Sequence, residues 1–299
     1  MNLTRIDDPA DSRVAAYVNI RERDLVGRHD HFIAEGEVVL RSLLAPTPAG
    51  LEERHTIVSV LLAEKRVPGL APALRALPSG TPVLAAGQTV IDQIAGFHLH
   101  RGILALGRRL PLPNLADLVA RARDRARGPA TFLVLVGVAN HDNMGGIFRN
   151  ASAFGAAAVI LDPTCCDPYY RKAIRVSAGA VLRVPMGRFA NGEDWVATLR
   201  GCGCQVVAFS PWGAIPLHDF QRRGDIALVF GAEGPGLPAA MLSRLTTLRI
   251  AMAAGIDSLN VATASGVALH HVFFGQPHDF EQCSDPLGTH PDEQSCPPP

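Results

Sequence analysis

The 299-residue chain is 47% apolar and 19% charged, and its 28 Lys and Arg balance 28 Asp and Glu. That composition supports proper cores in roughly two domains. No apolar run approaches the roughly 20 residues that cross a bilayer, which excludes a helical membrane span. The first twenty residues hold three Asp and no apolar stretch of the secretory kind, so a cytoplasmic location is expected. Six Cys (165, 166, 202, 204, 283, 296) show no C-x-x-C and no zinc-ligand spacing, so reduced thiols and no metal are expected.

Taken in chain order, residues 1–18 read as an extension and 19–110 as a compact α/β unit. In that unit "FIAEGEVVLRSLL" has apolar residues at helical spacing, "TIVSVLLAE", "TPVLAAG" and "GILALGRR" read as strands, and "TVIDQIAGF" as a short helix. "PNLADLVARARDRARG" predicts a helix and linker over 111–130, stopped at Gly128-Pro129. From Arg101 to Arg127 seven Arg face only Asp117 and Asp124, a pattern that suits either a solvated helix face or the neighbourhood of a polyanion.

A second α/β unit spans 131–276. Its predicted strands are "FLVLVGV", "AAVILD", "VLRVPM", "CQVVAFS", "IALVFG" and "LRIAM", with helices over 146–155, 168–179, 193–201, 238–243 and 258–274. Such alternation implies a mostly parallel sheet covered on both faces. The segment 277–299 has five acids, six Pro and no Lys or Arg, and is expected to be disordered.

Parallel sheets bind ligands outside the carboxyl ends of their strands. Three loops fall there: "VANHDNMGGIFRNASAFGAAAVIL" after the first strand, "VFGAEGPGLP", and "IAMAAGIDSLNVATASGVAL" with a helix capped by Asp257 or Ser258. Singly, each suits a tight strand-to-helix connection. The first also lacks G-x-G-x-x-G, which argues against a nicotinamide dehydrogenase.

In this order, N-x-G-x-x-x-R, G-x-E-G-x-G and S-L-N-V-A-x-A resemble the three motifs of the SpoU/TrmH family, the S-adenosylmethionine-dependent RNA 2′-O-ribose methyltransferases of the SPOUT superfamily. The resemblance covers 131–275 and includes "RVSAGAVLRVP"; the amino-terminal unit resembles, more weakly, a ribosomal-protein-like RNA-binding domain. The resemblance implies a carboxy-terminal SPOUT domain with a parallel sheet and deep trefoil knot. It also implies S-adenosylmethionine without metal, a tRNA or rRNA substrate, and a homodimer. By motif position it implies that Gly231, Gly236, Ile250 and Leu259 contact the cofactor, and that Arg149, Asn143, Glu233, Ser258 and Asn260 form the catalytic set. Arg149 is either a general base or an electrostatic clamp, Asn143 is expected to hold the loop and Arg149 in position, and Glu233 to orient Arg149 or the motif loops, within one subunit or across a subunit boundary. A non-catalytic RNA-binding protein on the same fold is the alternative.

Other residues are less specific. Arg101, Arg171, Lys172 and Arg175 suit RNA backbone or an exposed helix face equally. His98 and His100 lie at strand spacing and suit an RNA-facing or hydrogen-bonded role better than a metal pair, and His270 and His271 end a helix, where cationic His suits the dipole.

Overall fold

The computed structural model of the chain describes residues 2–18, 30–47 and 53–274; the acidic segment 277–299 lies outside them. Strands β1 (Asn2–Ile6), β2 (His31–Glu35), β3 (His55–Ala63), β4 (Pro82–Ala86) and β5 (Ile103–Arg109) form a mixed sheet in the order β1-β4-β3-β5-β2. Helices α1 (Glu37–Leu44), α2 (Val67–Arg75) and α3 (Gln88–Ala95) complete this unit.

Two expectations for this unit are corrected. The extension read over residues 1–18 belongs to the unit, because Asn2–Ile6 pairs in parallel with Pro82–Ala86. Val14 and Tyr17 then join Ile6 in the core, with the Tyr17 hydroxyl 2.7 Å from Ser59 Oγ. The stretch read as helical over 32–44 is half strand, since Gly36 at φ +94° ends β2 and starts α1.

The second sheet is parallel throughout, in the order β10-β12-β9-β11-β6-β7-β8. Its strands are β6 (Thr131–Leu135), β7 (Ala158–Leu161), β8 (Met186–Arg188), β9 (Gln205–Phe209), β10 (Ile215–Pro216), β11 (Ile226–Phe230) and β12 (Thr246–Arg249). Every residue of β6 and β11 is buried, as central parallel strands between two helical layers require.

The helices that follow α3 are α4 (Leu115–Arg125), α5 (His141–Ala153), α6 (Arg171–Val176), α7 (Ala180–Arg183), α8 (Trp195–Gly201), α9 (Ala239–Leu242) and α10 (Val261–Phe274). "VLRVPM", expected as a strand, is the short helix α7 followed by β8, because the chain turns through Gly179 at φ +85° before it. The helix expected within the segment 111–130 forms as α4 and is a layer of this domain: Leu118 packs on Gly187 of β8 so closely that a Cβ there would lie 2.8 Å from it.

The two units share one apolar core. Phe32, Val39 and Leu40 from the first pack in the same cluster as Ile147, Ala173 and Val181 from the second. At this seam the buried Arg54 guanidinium donates to the carbonyls of Val184 (2.5 Å) and Leu182 (2.9 Å). Arg183 answers from the other side by donating to Ala45 and Pro46 carbonyls. Buried main-chain carbonyls need such partners. The seam is therefore a fold interior, not a hinge.

Candidate active site

An all-parallel sheet brings the carboxyl ends of its strands to one edge. The strand order sets the exits of β12, β9, β11 and β6 side by side there. Helix α5 starts five residues before the expected 146, because Asn140 caps it: its side chain accepts from Asp142 N at 2.7 Å and Asn143 N at 3.3 Å. Asn143 thus stands in the first helical turn and is 5% exposed.

The three motif loops meet through this buried amide. Asn143 Nδ2 donates to Glu233 Oε1, Asn260 Nδ2 donates to Asn143 Oδ1 at 2.8 Å, and the same Asn260 nitrogen reaches Glu233 Oε1 at 3.1 Å. The other end of Asn260 caps α10, with Oδ1 accepting from Ala262 N and Thr263 N. The cap expected at Asp257 or Ser258 is thus Asn260. A carboxylate that accepts from two amides is held in one orientation.

Each loop is shaped by its own backbone. A Cβ on Gly231 would lie 2.5 Å from the Gly236 carbonyl carbon and the Leu237 nitrogen, so only glycine lets the loop fold back on itself. Gly236 N closes that loop by donating to Ala232 O. The space Gly231 leaves open is therefore filled by the loop itself. Gly236 has nothing within 4 Å of its missing side chain and faces outward. Ile250 is half-buried against the core, while Leu259 is 38% exposed and Ser258 is exposed.

Arg149 is exposed and pairs with no group among the described residues. It stands six residues beyond Asn143 on α5, about 9 Å along the axis and roughly a third of a turn away in azimuth. Within one chain neither Asn143 nor Glu233 holds it: the hold expected of Asn143 on Arg149 is corrected, and of the two roles open to Glu233 its hydrogen bonds to Asn143 and Asn260 match the one on the motif loops.

The candidate RNA residues divide. Arg171 reaches Glu35 at 3.1 Å and lies 4.9 Å from the centroid of the Phe97 ring, so it ties α6 to the first unit. Lys172 pairs with Asp142 at 2.6 Å, and both are about half exposed. Arg101 and Arg175 are exposed. His98 and His100 occupy a turn rather than a strand; His98 Nδ1 lies 2.6 Å from Asp92 Oδ2, and the two rings stand edge to face. His271, in the last turn of α10, lies 3.3 Å from the Phe220 carbonyl, and the His270 ring meets Phe154 edge to face.

Asn150 was not singled out by the sequence. It fastens α5 to α10 by donating to Ala262 O (2.6 Å) and Ser265 Oγ (3.0 Å), and its only signal is a polar residue one helical turn from Ile147 and Ala153. The four described cysteines are free thiols. Burial pushes Cys165 up to about 12 and Cys166 up to about 11, so neither supplies a thiolate at this edge. Among the described residues no group of three His, Cys, Asp or Glu gathers as metal ligands, and no helix is long and apolar enough to cross a membrane.

Comparison with known proteins agrees with this geometry. Residues 130–270 match the profile of the SpoU rRNA Methylase family. The chain is 38% identical over 283 residues to an uncharacterized tRNA/rRNA methyltransferase of Mycobacterium bovis, covering 90% of this chain and 91% of the relative. The structure of an rRNA methyltransferase from Sinorhizobium meliloti with bound AdoMet matches with a TM-score of 0.74 at 24% identity, over 90% of this chain and 97% of that one. An RNA 2′-O ribose methyltransferase structure matches with a TM-score of 0.68 at 25% identity, over 91% of this chain and 99% of that one.

Proposed function

The chain belongs to the SpoU rRNA methylase family of RNA methyltransferases, and from that premise we propose that it methylates a ribose 2′-hydroxyl of tRNA or rRNA with S-adenosylmethionine as donor. One observation carries the reading: Asn143, Glu233 and Asn260, each from a different motif, are joined side chain to side chain at the carboxyl edge of the parallel sheet. The 2′-O assignment draws support from the similar RNA 2′-O ribose methyltransferase structure, and the deep trefoil knot is carried forward from the motif resemblance.

The residues present fit the cofactor. It carries no phosphate, and the two loops offer main chain and apolar side chains rather than a cradle of basic groups. Gly236 leaves open space where a side chain would stand, and Ile250 and Leu259 border the third loop with apolar surface. Gly231 acts one step back, by letting 231–237 take its shape. When bound, the cofactor supplies an electrophilic methyl group on sulfur.

The chain's own work is to place and polarise the hydroxyl. An Arg side chain keeps its proton in proteins, so Arg149 is suited to clamp the target phosphate and stabilise negative charge developing on the 2′-oxygen. Asn143 and Asn260 fix the Glu233 carboxylate, which orients the loops. Ser258 offers an exposed hydroxyl at the third loop. Because Arg149 stands on a different face of α5 from Asn143, we assign it to the site of a second copy in a homodimer. The last helix supports close pairing: Thr263 and Val267 lie on its exposed side.

The first unit, with Arg101, and the helix α6 residue Arg175 present exposed cations for RNA backbone. The test is direct. Purified protein, labelled S-adenosylmethionine and RNA from a strain lacking the gene should give label resistant to alkaline cleavage at one nucleotide, as a 2′-O-methyl group requires. Label on a base instead would refute the ribose assignment.

A further inference from the structure

The carboxyl edge of the second sheet holds one side chain that the reading above leaves without a role. Trp212 is 87% exposed. Tryptophan is on average a highly buried residue, so an indole held almost wholly in water calls for a partner outside the chain.

The loop that carries it is anchored at both ends. Ser210 N donates to Leu248 O at 3.0 Å, Ala214 N donates to Thr247 Oγ1 at 3.0 Å, and Arg249 Nη1 donates to the carbonyls of Gly213 and Ala214 at 2.7 and 2.8 Å. A Cβ on Gly213 would lie 2.3 Å from the Leu248 carbonyl, so the main chain beside the indole is pressed on β12. Trp212 N in turn donates to Ser210 Oγ. A loop fixed in this way presents its side chain outward at little further cost in entropy.

Its position is equally specific. β9 lies between β11 and β12 in the sheet, and its exit, residues 210–214, crosses β12 to reach β10 on the far side, at the carboxyl edge from which the loops that carry Glu233 and Asn260 also leave. The third loop, which leaves the neighbouring strand β12, also exposes apolar side chains, with Ile256 54% and Leu259 38% exposed.

We propose that Trp212 is a stacking platform for an unpaired base of the RNA substrate at the rim of the methylation site; this rests on the RNA methyltransferase reading above. Proteins take up single-stranded RNA by stacking splayed bases on aromatic faces, and any base will serve because each has a π face. A cofactor pocket encloses most of its ligand. An indole this exposed has no such walls. A protein partner would want a contiguous apolar patch, whereas the neighbours of Trp212 in the loop are Ser210, Pro211 and Gly213.

The chain has two tryptophans, and Trp195 is buried at 5% exposure against Phe189, so the solvent-exposed emission belongs to Trp212. Total tRNA and rRNA from a strain lacking the gene should quench this emission in the full-length protein and leave the Trp212→Phe variant unquenched at the same wavelength. S-adenosylmethionine alone should leave it unchanged. Trp212→Ala should raise the KM for RNA about tenfold with kcat and melting temperature nearly unchanged, and Trp212→Phe should recover most of the loss. RNA retained on filters with Trp212 emission and KM unaltered would overturn the platform. Quenching by S-adenosylmethionine alone, or by raising protein concentration alone, would overturn it in favour of a cofactor wall or a contact between copies. If no RNA is retained at all, the methyltransferase reading fails first and the platform with it.

Discussion

Asn260 donates its amide to Asn143 at 2.8 Å across 117 residues of chain, while its carbonyl oxygen caps the helix that follows it. One side chain therefore starts α10 and joins the third motif to the first. The two duties use different atoms, so they can be separated by substitution.

Asn260→Ser keeps a good helix cap but is too short to reach Asn143 and Glu233. Stability should fall by about 1–2 kcal/mol, as the Asn143 oxygen loses its donor while the cap is kept, and turnover should fall about a hundredfold through misplacement of the loops. Asn260→Ala should lose the same activity and a further ~1 kcal/mol from the cap. Urea melts and initial rates on the same preparations decide it: a stability loss in Asn260→Ser with full turnover would make the link purely structural.

Gly231 tolerates no side chain, because a Cβ would meet the Gly236–Leu237 peptide at 2.5 Å. Gly231→Ala should therefore weaken S-adenosylmethionine binding by calorimetry as severely as any bulkier residue, with global stability nearly intact. Graded losses from Ala to Val to Trp would show instead that the ligand, rather than the loop, occupies that space.

At the seam, Arg54 is a buried cation whose partners are the carbonyls of Leu182 and Val184. Burial lowers its pKa, with the nearby charges of Arg183 and Arg125 acting the same way. Arg54→Ala removes both donors and leaves two carbonyls unsatisfied, at a cost of about 2–4 kcal/mol. By the same reasoning, residues 126–299 alone should not give a folded protein, since the cut bares the core shared by Leu40 and Ile147. A truncated chain with a cooperative melt would show two independent domains.

His55 adjoins that seam, with Nδ1 buried and without a hydrogen-bond partner. Burial, and then the positive charge of Arg54, pull its pKa down from 6.5 to about 4. Below pH 6.5 the unfolded chain takes up a proton that the folded chain refuses until about pH 4. This contribution to stability is therefore complete above pH 6.5 and is lost as pH falls toward 4, by up to about 3 kcal/mol. Carboxylates titrate near the same range, so the reading is the difference between the parent and His55→Phe. The variant should show the shallower fall in urea midpoint between pH 7 and pH 4.5; equal slopes would remove His55 as the cause.

Much of this arrangement could be read from the chain. Thr131–Leu135 and Ile226–Phe230 are apolar at every position or nearly so, which marks central parallel strands, and the three motifs lie at strand exits where ligands bind. What periodicity could not supply is pairing at a distance. Glu233 accepts from Asn143 and Asn260 only because β11 returns beside β6. Arg54 looks like any polar residue before a strand until Val184, 130 residues on, is placed against it. Local reading also erred where one residue overrules a pattern, as Gly36 does by breaking an apparent helix and Asn140 by starting α5 early.

Arg149 carries the last prediction. If it clamps phosphate and stabilises the alkoxide, Arg149→Ala should lower kcat by about 10²–10³ with unchanged S-adenosylmethionine affinity. Arg149→Lys should stay nearly as slow at every pH, since an ammonium cannot reproduce the planar fork. Activity that recovers as pH rises in the Lys variant would indicate a general base instead. The site that Arg149 serves is tested by mixing. Arg149→Ala and Asn260→Ala homodimers are both inactive on this account. If the arginine acts on the partner's loops, one site of the mixed dimer joins an intact Arg149 to intact loops, and the other has neither. Refolding the two variants together should then restore up to about a quarter of parental turnover, from half the dimers with one working site each. If the arginine serves its own chain, every site in the mixture lacks one group and no activity returns. A single mass near 32 kDa by light scattering at micromolar concentration would exclude the shared site outright.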